Sequence, residues 1–290
     1  MSSMESRFKL NFAPHIGLGS PESGMFREHA GADPIDQIKF IADQGFRAIE
    51  DNFLKMRPIA VQEKIGRELE RQGMQMGCFV NNLILDQPTF VNNTEEAREV
   101  LLRQLRETIE VAKRVNGKWV TTLSGPFDPR LEQAYQTSNM IENLRWCALL
   151  CESEGITLGI EPITGKWWPG TFHTNIPHGY LITKAVNSPA CKLIFDVFQQ
   201  QLEGGNIINN IDYAWDEICY FQIADAPRRT EPTTGELNYR SILQHIHAKG
   251  YTGIIEMEHS NSQPGREGEQ AVIDIYIELE RAIEGHVADE

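Results

Sequence analysis

The chain has no basic excess. Lys and Arg number 27 against 41 Asp and Glu, so the 290 residues carry a formal charge of −14. Such a surface has little with which to neutralise phosphates, which excludes a nucleic acid or an anionic membrane as partner. Long apolar runs are absent as well. The longest are five or six residues, against the roughly 20 that span a bilayer. Met1 to Lys9 is polar and holds no apolar stretch of the signal-peptide kind, so a leader is not expected. Cysteine is scarce and unpatterned. Cys78, Cys147, Cys151, Cys191 and Cys219 make an odd number with no Cys-x-x-Cys. Cys147 and Cys151 are four apart within a helical pattern, which fits neighbouring packing positions better than a metal knuckle. All five read as reduced thiols of a cytoplasmic protein. No Pro- or Ser-rich linker and no low-complexity tract divides the chain. One domain over residues 1–290 is expected, with 1–7 and 286–290 as frayed ends.

What is present is the balance of an ordinary globular protein, 41% hydrophobic and 23% charged, which argues against disorder. The dominant pattern is alternation. Eight short apolar runs end in polar residues: Phe8–Gly17, Ala48–Phe53, Met74–Asn81, Trp119–Gly125, Thr157–Ile163, Lys192–Gln199, Tyr220–Ala226 and Gly253–His259. Helical segments lie between them. Asp33-Pro34 offers an N-cap followed by proline at N1, and that helix stops at Gly45. Gln62–Gln72 stops at Gly73, Ser138–Glu154 at Gly155 and Tyr239–Lys249 at Gly250. The long helix opened by Asn93-Thr94-Glu95-Glu96 is closed by Gly117. Each glycine is expected as a left-handed helix stop. Strand alternating with helix eight times predicts a single (β/α)8 TIM barrel of the α/β class. The alternative is a doubly wound open sheet. No G-x-G-x-x-G follows the first run, which weakens its dinucleotide-binding form. Two long loops are expected, Pro14 to Pro34 and Thr164 to Pro177. The second holds Trp167, Trp168, Phe172 and His173, and aromatics in a loop call for something to cover.

In a barrel, chemistry gathers where strands end. Runs five to eight close on Glu161, Asp196, Gln222 and Glu258. Each alone has an ordinary reading as a cap, an ion pair or a loop anchor. As a series at four consecutive strand ends they form a ring of oxygens. Three carboxylates together repel strongly unless a cation neutralises them, and oxygen donors suit a hard divalent ion. Glu256 shares a face with Glu258, so spacing alone leaves open which of the two would bind metal. His259 would face the other way and reads as structural.

Several stretches resemble the hydroxypyruvate isomerase family within the xylose isomerase-like TIM-barrel superfamily. They are Gly45-Phe46-Arg47-Ala48-Ile49-Glu50, Gly159-Ile160-Glu161-Pro162-Ile163, Phe221-Gln222-Ile223-Ala224-Asp225-Ala226-Pro227 with the following Arg229 to Tyr239, and Gly250-Tyr251-Thr252-Gly253 through Glu258. The resemblance is clearest from about Gly155 onward. It implies one divalent ion, Mn²⁺ or Mg²⁺, held by Glu161, Asp196, Gln222 and Glu258. It also implies Glu161 and Glu258 as an acid/base pair, and an isomerase of a small hydroxy-carbonyl compound or sugar working through an enediolate. The family usually carries a His three residues after its strand 6 Asp, where this chain has Gln199.

Further candidates for substrate contact are His15, Asn81, Trp168, His173, Gln199 and Arg229. His15 competes with a backbone-bonded strand-end histidine, and Arg229 with a surface ion pair. Glu50 is expected to orient groups around strand 1. Alternatives from the same pocket are a ketose 3-epimerase and a metal-assisted lyase or hydratase on an oxidised sugar. A non-catalytic sugar-binding barrel is another. DNA-repair endonucleases share the barrel but need a His-rich multi-metal site and a basic groove, neither of which is written here. A homo-oligomer is expected only by analogy with other barrels of this size.

Overall fold

The computed structural model describes residues 7–82 and 86–286, side chains of 284–286 excepted. The frayed-end expectation therefore falls almost wholly outside the described residues. Among the described residues eight strands appear in chain order: β1 (Asn11–Pro14), β2 (Ala48–Ile49), β3 (Gln75–Met76), β4 (Trp119–Thr122), β5 (Thr157–Ile160), β6 (Cys191–Asp196), β7 (Ile218–Ile223) and β8 (Ile254–Met257). At least one helix lies between every two successive strands, so the βα alternation read from the sequence holds throughout these elements. The chain divides into two compact units, Met1–Gly77 with Gln222–Glu290, and Cys78–Phe221.

In the first unit β1 runs parallel to β8, with Asn11 opposite Ile254 and Pro14 opposite Met257. β2 runs parallel to β3. Glu50 N donates to Pro14 O at 3.0 Å, and Ile16 N to Glu50 O at 2.8 Å, so the β1 and β2 ends are stitched together. Glu258 N donates to Ile223 O at 3.1 Å, linking the ends of β8 and β7. The helix Pro34–Asp43 begins as expected: the Asp33 carboxylate accepts from Ile35 N at 2.8 Å, with proline at the start of the helix. Its Ile38, Ile41 and Ala42 are buried. Aromatic rings fill the interior. Phe8 stacks on Phe46 at 4.7 Å and Phe12 meets Tyr276 edge-on at 4.9 Å.

In the second unit β4 pairs with β5 and β5 with β6, all parallel. Val80 bridges Thr121. The helix Glu95–Val115 is capped by Thr94, whose hydroxyl accepts from Ala97 N at 3.1 Å. It turns Leu101, Leu105, Ile109 and Ala112 inward. Its stop differs from expectation. Asn116, not Gly117, takes the left-handed conformation, at φ 52°. Asn tolerates that region because its short polar side chain bonds locally. Gly73 and Gly155 do adopt it, at 64° and 67°. None of the five cysteines is in a disulfide, and burial pushes the thiols of Cys147, Cys151 and Cys219 up to about 12.

The apolar runs do not map one to one onto strands. Lys192–Gln199 contains the end of β6 and the start of the helix Val197–Glu203. The switch occurs at Asp196, whose Oδ1 accepts from Phe198 N at 2.7 Å and Gln199 N at 3.2 Å and so caps that helix. The expected loop to Pro177 ends earlier, because Asn175 caps a helix over Ile176–Val186 with Pro177 in its first turn. Among the described residues no helix is long and apolar enough to cross a membrane.

Candidate active site

In the second unit Glu161 follows β5 directly and Asp196 closes β6. Both side chains are buried, and each offers a carboxylate oxygen within 4.8 Å of the other's. β5 and β6 are neighbouring parallel strands, with Ile160 opposite Leu193, and both carboxylates lie at the same, C-terminal end of the pair. Gln199 lies one turn into the helix after Asp196. Its Oε1 accepts from Thr164 N at 3.0 Å, so this buried amide pins the start of the loop that follows β5. The same loop is tied to the helix by Thr164 Oγ1 donating to Glu203 (2.6 Å) and Lys166 Nζ donating to Leu202 O (2.5 Å). Trp167 packs edge-on against Phe198 at 5.5 Å. Trp168 is 44% exposed and lines a cleft with Leu123, Pro126 and Ile163. The aromatic loop therefore does cover something, namely this helix and this cleft.

Asn81 and His173 sit differently from a simple pocket lining. Thr108 Oγ1 donates to Asn81 Oδ1 at 2.8 Å, which ties the end of the third apolar run to the helix Glu95–Val115. His173 is wholly buried against the helix Ile176–Val186, with its ring 5.7 Å from that of His178. Burial, with His178 adding to it, lowers His173 to about 3, so its ring is neutral. Neither of its ring nitrogens has a hydrogen-bond partner.

The first unit gathers the other candidates. Gln222 on β7 is fully buried, and its Nε2 donates to Glu256 Oε2 at 3.3 Å. Its Oε1 is buried with no partner. Glu258 stands one residue past β8. Asn52 Nδ2 donates to its Oε1 at 3.3 Å, and Arg229 Nη2 lies 2.5 Å from its Oε2. Arg229 Nε also donates to the Glu258 carbonyl at 3.3 Å. Arg229 holds this place from a left-handed backbone, φ 56°, in a turn closed by its N–H on Asp225 O at 2.9 Å. The surface ion pair considered for Arg229 is thus replaced by a largely buried pair with a strand-end carboxylate.

His15 is buried and its Nε2 donates to His259 O at 3.0 Å. Burial lowers it to about 4, so the ring is neutral and Nδ1 is an acceptor. His259 turns away as expected: Tyr276 Oη donates to its Nε2 at 2.9 Å, and its ring stacks on the tyrosine. Glu50 and Glu256 are wholly buried. Burial and then neighbouring carboxylates, Glu258 for Glu50 and Glu50 for Glu256, push both well above the usual range.

A family model for the xylose isomerase-like TIM barrel matches residues 38–278. The chain belongs to that family. A 2-oxo-tetronate isomerase of Cupriavidus necator is 29% identical over 240 residues, covering 82% of this chain and 90% of that one. A putative hydroxypyruvate isomerase of Homo sapiens is 30% identical over 247 residues, covering 82% and 87%. Among solved structures, a family 2 AP endonuclease from Brucella melitensis superposes with a TM-score of 0.78 at 22% identity, over 92% of this chain and 99% of that one. That last likeness is one of fold. The sequence relatives are isomerases by name, and this xylose isomerase-like chain is an isomerase built on the expected TIM barrel.

Two groups in the xylose isomerase-like site escape a reading by strand ends. Asn52 follows β2 by three residues, in Glu50-Asp51-Asn52, and only its reach to Glu258 reveals it. Asp51 carries a readable signal, being the second acid in that run, but its partner Arg57 is six residues on in a loop.

Proposed function

We propose that the chain is a divalent-metal-dependent isomerase of a small hydroxy-carbonyl compound or sugar, with hydroxypyruvate and 2-oxo-tetronate as the first substrates to try. The observation that carries this reading is the Gln222 Oε1 atom. It is fully buried, with no donor. A buried acceptor left unmatched is costly unless something meets it. Glu161 and Asp196 add two carboxylates whose oxygens approach within 4.8 Å, another pairing that a cation relieves. An amide oxygen with carboxylates is a donor set for a hard ion such as Mn²⁺ or Mg²⁺. In this reading Glu161, Asp196, Gln222 and Glu258 hold the ion, and the whole chain works as one barrel domain.

When bound, such an ion supplies Lewis acidity that offsets negative charge developing on the substrate's oxygens. The proton work falls to glutamates. Glu161 and Glu258 act as the pair that removes a proton beside the carbonyl and returns one to the neighbouring carbon. Asn52 and Arg229 hold the Glu258 carboxylate in one orientation. Gln199 cannot titrate and has given its oxygen to Thr164, so its Nε2 is left to donate to a substrate oxygen. Neutral His15 offers Nδ1 as an acceptor for a substrate hydroxyl. Trp168 and Arg229 flank the substrate.

Metal content of the purified protein, measured beside E161Q and E258Q, tests the reading. About one divalent ion per chain is expected, lost or weakened in either variant. Turnover of hydroxypyruvate or 2-oxo-tetronate with added Mn²⁺ or Mg²⁺ should follow the metal. No bound metal together with no thermal shift on adding one would overturn it.

A further inference from the structure

Glu256 is a buried acid that the proposed chemistry does not use. It lies within β8, wholly buried and opposite Ala13 of β1. A core that only needed filling at this position would hold an apolar residue, since glutamate is rarely buried without a task. One polar side-chain contact of Glu256 is the amide of Gln222, whose Nε2 donates to its Oε2 at 3.3 Å.

That contact decides which end of the amide faces onward. A glutamine amide has nearly the same shape in its two flipped states, but only the oxygen can coordinate a cation. An acid oxygen that accepts beside one end of the amide sets the nitrogen there. With Nε2 on Glu256, Oε1 is left on the other side, buried and without a partner. Gln222 is itself wholly buried, so no water is on hand to hold the flipped state.

We propose that Glu256 is a positioning residue: by accepting from Gln222 Nε2 it locks the amide with Oε1 presented as a metal ligand. The proposal rests on the reading of Gln222 as a ligand. Glu256 itself binds neither metal nor substrate. It lies within β8, whereas Glu258, the proposed ligand, follows the strand.

The test measures Mn²⁺ affinity directly, from the electron paramagnetic resonance signal of free ion, so it does not depend on knowing the substrate. E256Q retains an oxygen that can accept from Gln222 while losing the acid. E256M loses the acceptor and keeps the volume. E256M is expected to weaken Mn²⁺ binding about 10- to 100-fold, the usual effect of removing a partner that orients a ligand, and E256Q by less than about threefold. A second change separates orientation from mere packing. In the E256M background Q222E presents an oxygen whichever way it turns, so Q222E/E256M should recover most of the lost affinity. E256A is the second acceptor-free variant should E256M not fold. Mn²⁺ binding by E256M within about threefold of the wild type, or equal weakening in E256Q and E256M, overturns the positioning role. Failure of the double variant to recover affinity overturns it as well. A wild-type protein that binds no Mn²⁺ overturns instead the metal reading on which it stands.

Discussion

Arg57 offers a perturbation whose cost can be worked out in advance. Its Nε lies 2.5 Å from Asp51 Oδ2 and its Nη2 3.3 Å from Oδ1, and the same Nη2 donates to the carbonyls of Ile16 (3.1 Å) and Pro21 (3.0 Å). One side chain thereby fastens the segment after β1 to the end of β2. Burial raises Asp51 from 3.8 to about 6, with Arg57 pulling the other way. A carboxyl whose folded value is raised is stabilised by its proton. That contribution is whole below about pH 3.8 and is lost as pH rises to about 6. In the wild type the loss ends there. R57M keeps the stem's volume but removes the charge, so Asp51 must hold its proton to a higher pH. The variant goes on losing about 1.4 kcal/mol per pH unit above pH 6. At pH 6 the expected cost is about 2 kcal/mol, from two carbonyls left without a donor. By pH 7.5 it reaches about 4 kcal/mol, within the range of about 3–5 for breaking a buried pair. Urea unfolding at both pH values measures it. A cost that is the same at pH 6 and pH 7.5, or below about 1 kcal/mol at the higher value, refutes the linkage. D51L/R57M, which removes both charges, should recover at least half of the loss at pH 7.5.

Two other substitutions have definite signs. A Cβ at Gly179 would come 2.6 Å from His173 Nε2 and 2.6 Å from Leu193 Cδ1, so G179A should cost about 1–3 kcal/mol in urea unfolding; a cost under about 0.5 kcal/mol would show that the buried imidazole moves aside freely. R229M removes the charged contact on Glu258, which corresponds to about 1.5–3 kcal/mol of held orientation, so kcat/KM should fall about 10- to 100-fold on whichever substrate is turned over. A fall of less than about threefold would remove Arg229 from the positioning of Glu258.

The periodic parts of the barrel were legible because they depend on neighbours in sequence. Asp33-Pro34 and Thr94 open their helices as read, since a cap is a contact over two or three residues. The four polar strand ends were legible for the same reason: alternation announces where a strand stops. The misses have another origin. Asn116 replaces the glycine stop because two residue types tolerate the same backbone state and Asn comes one position earlier. Asn52 reaches Glu258 across 206 residues, and Tyr220 Oη accepts from Cys78 N across 142. No local pattern encodes such partners. They follow only once parallel strands have set which ends lie side by side.

A structural and a functional role for a polar residue are alternatives in a sequence, but atoms of one side chain can serve both. Asp196 caps a helix with Oδ1 and still offers an oxygen near Glu161. Gln199 fixes the aromatic loop with Oε1 and keeps an amide nitrogen for donation. Gln222 gives its nitrogen to Glu256 and leaves its oxygen unmatched. In each case the structural bond removes the side chain's freedom to turn, and that is what aims the remaining atom. The entropy of ordering the group is spent in folding, so a ligand that arrives later does not meet that cost. A cap at Asp196 therefore argues for its use as a ligand rather than against it. D196N tests this, since an amide oxygen can still cap the helix while the charge is lost. Helix stability and melting should change little, whereas Mn²⁺ binding should weaken by at least about tenfold. Equal loss of both would show that the cap was the residue's only task.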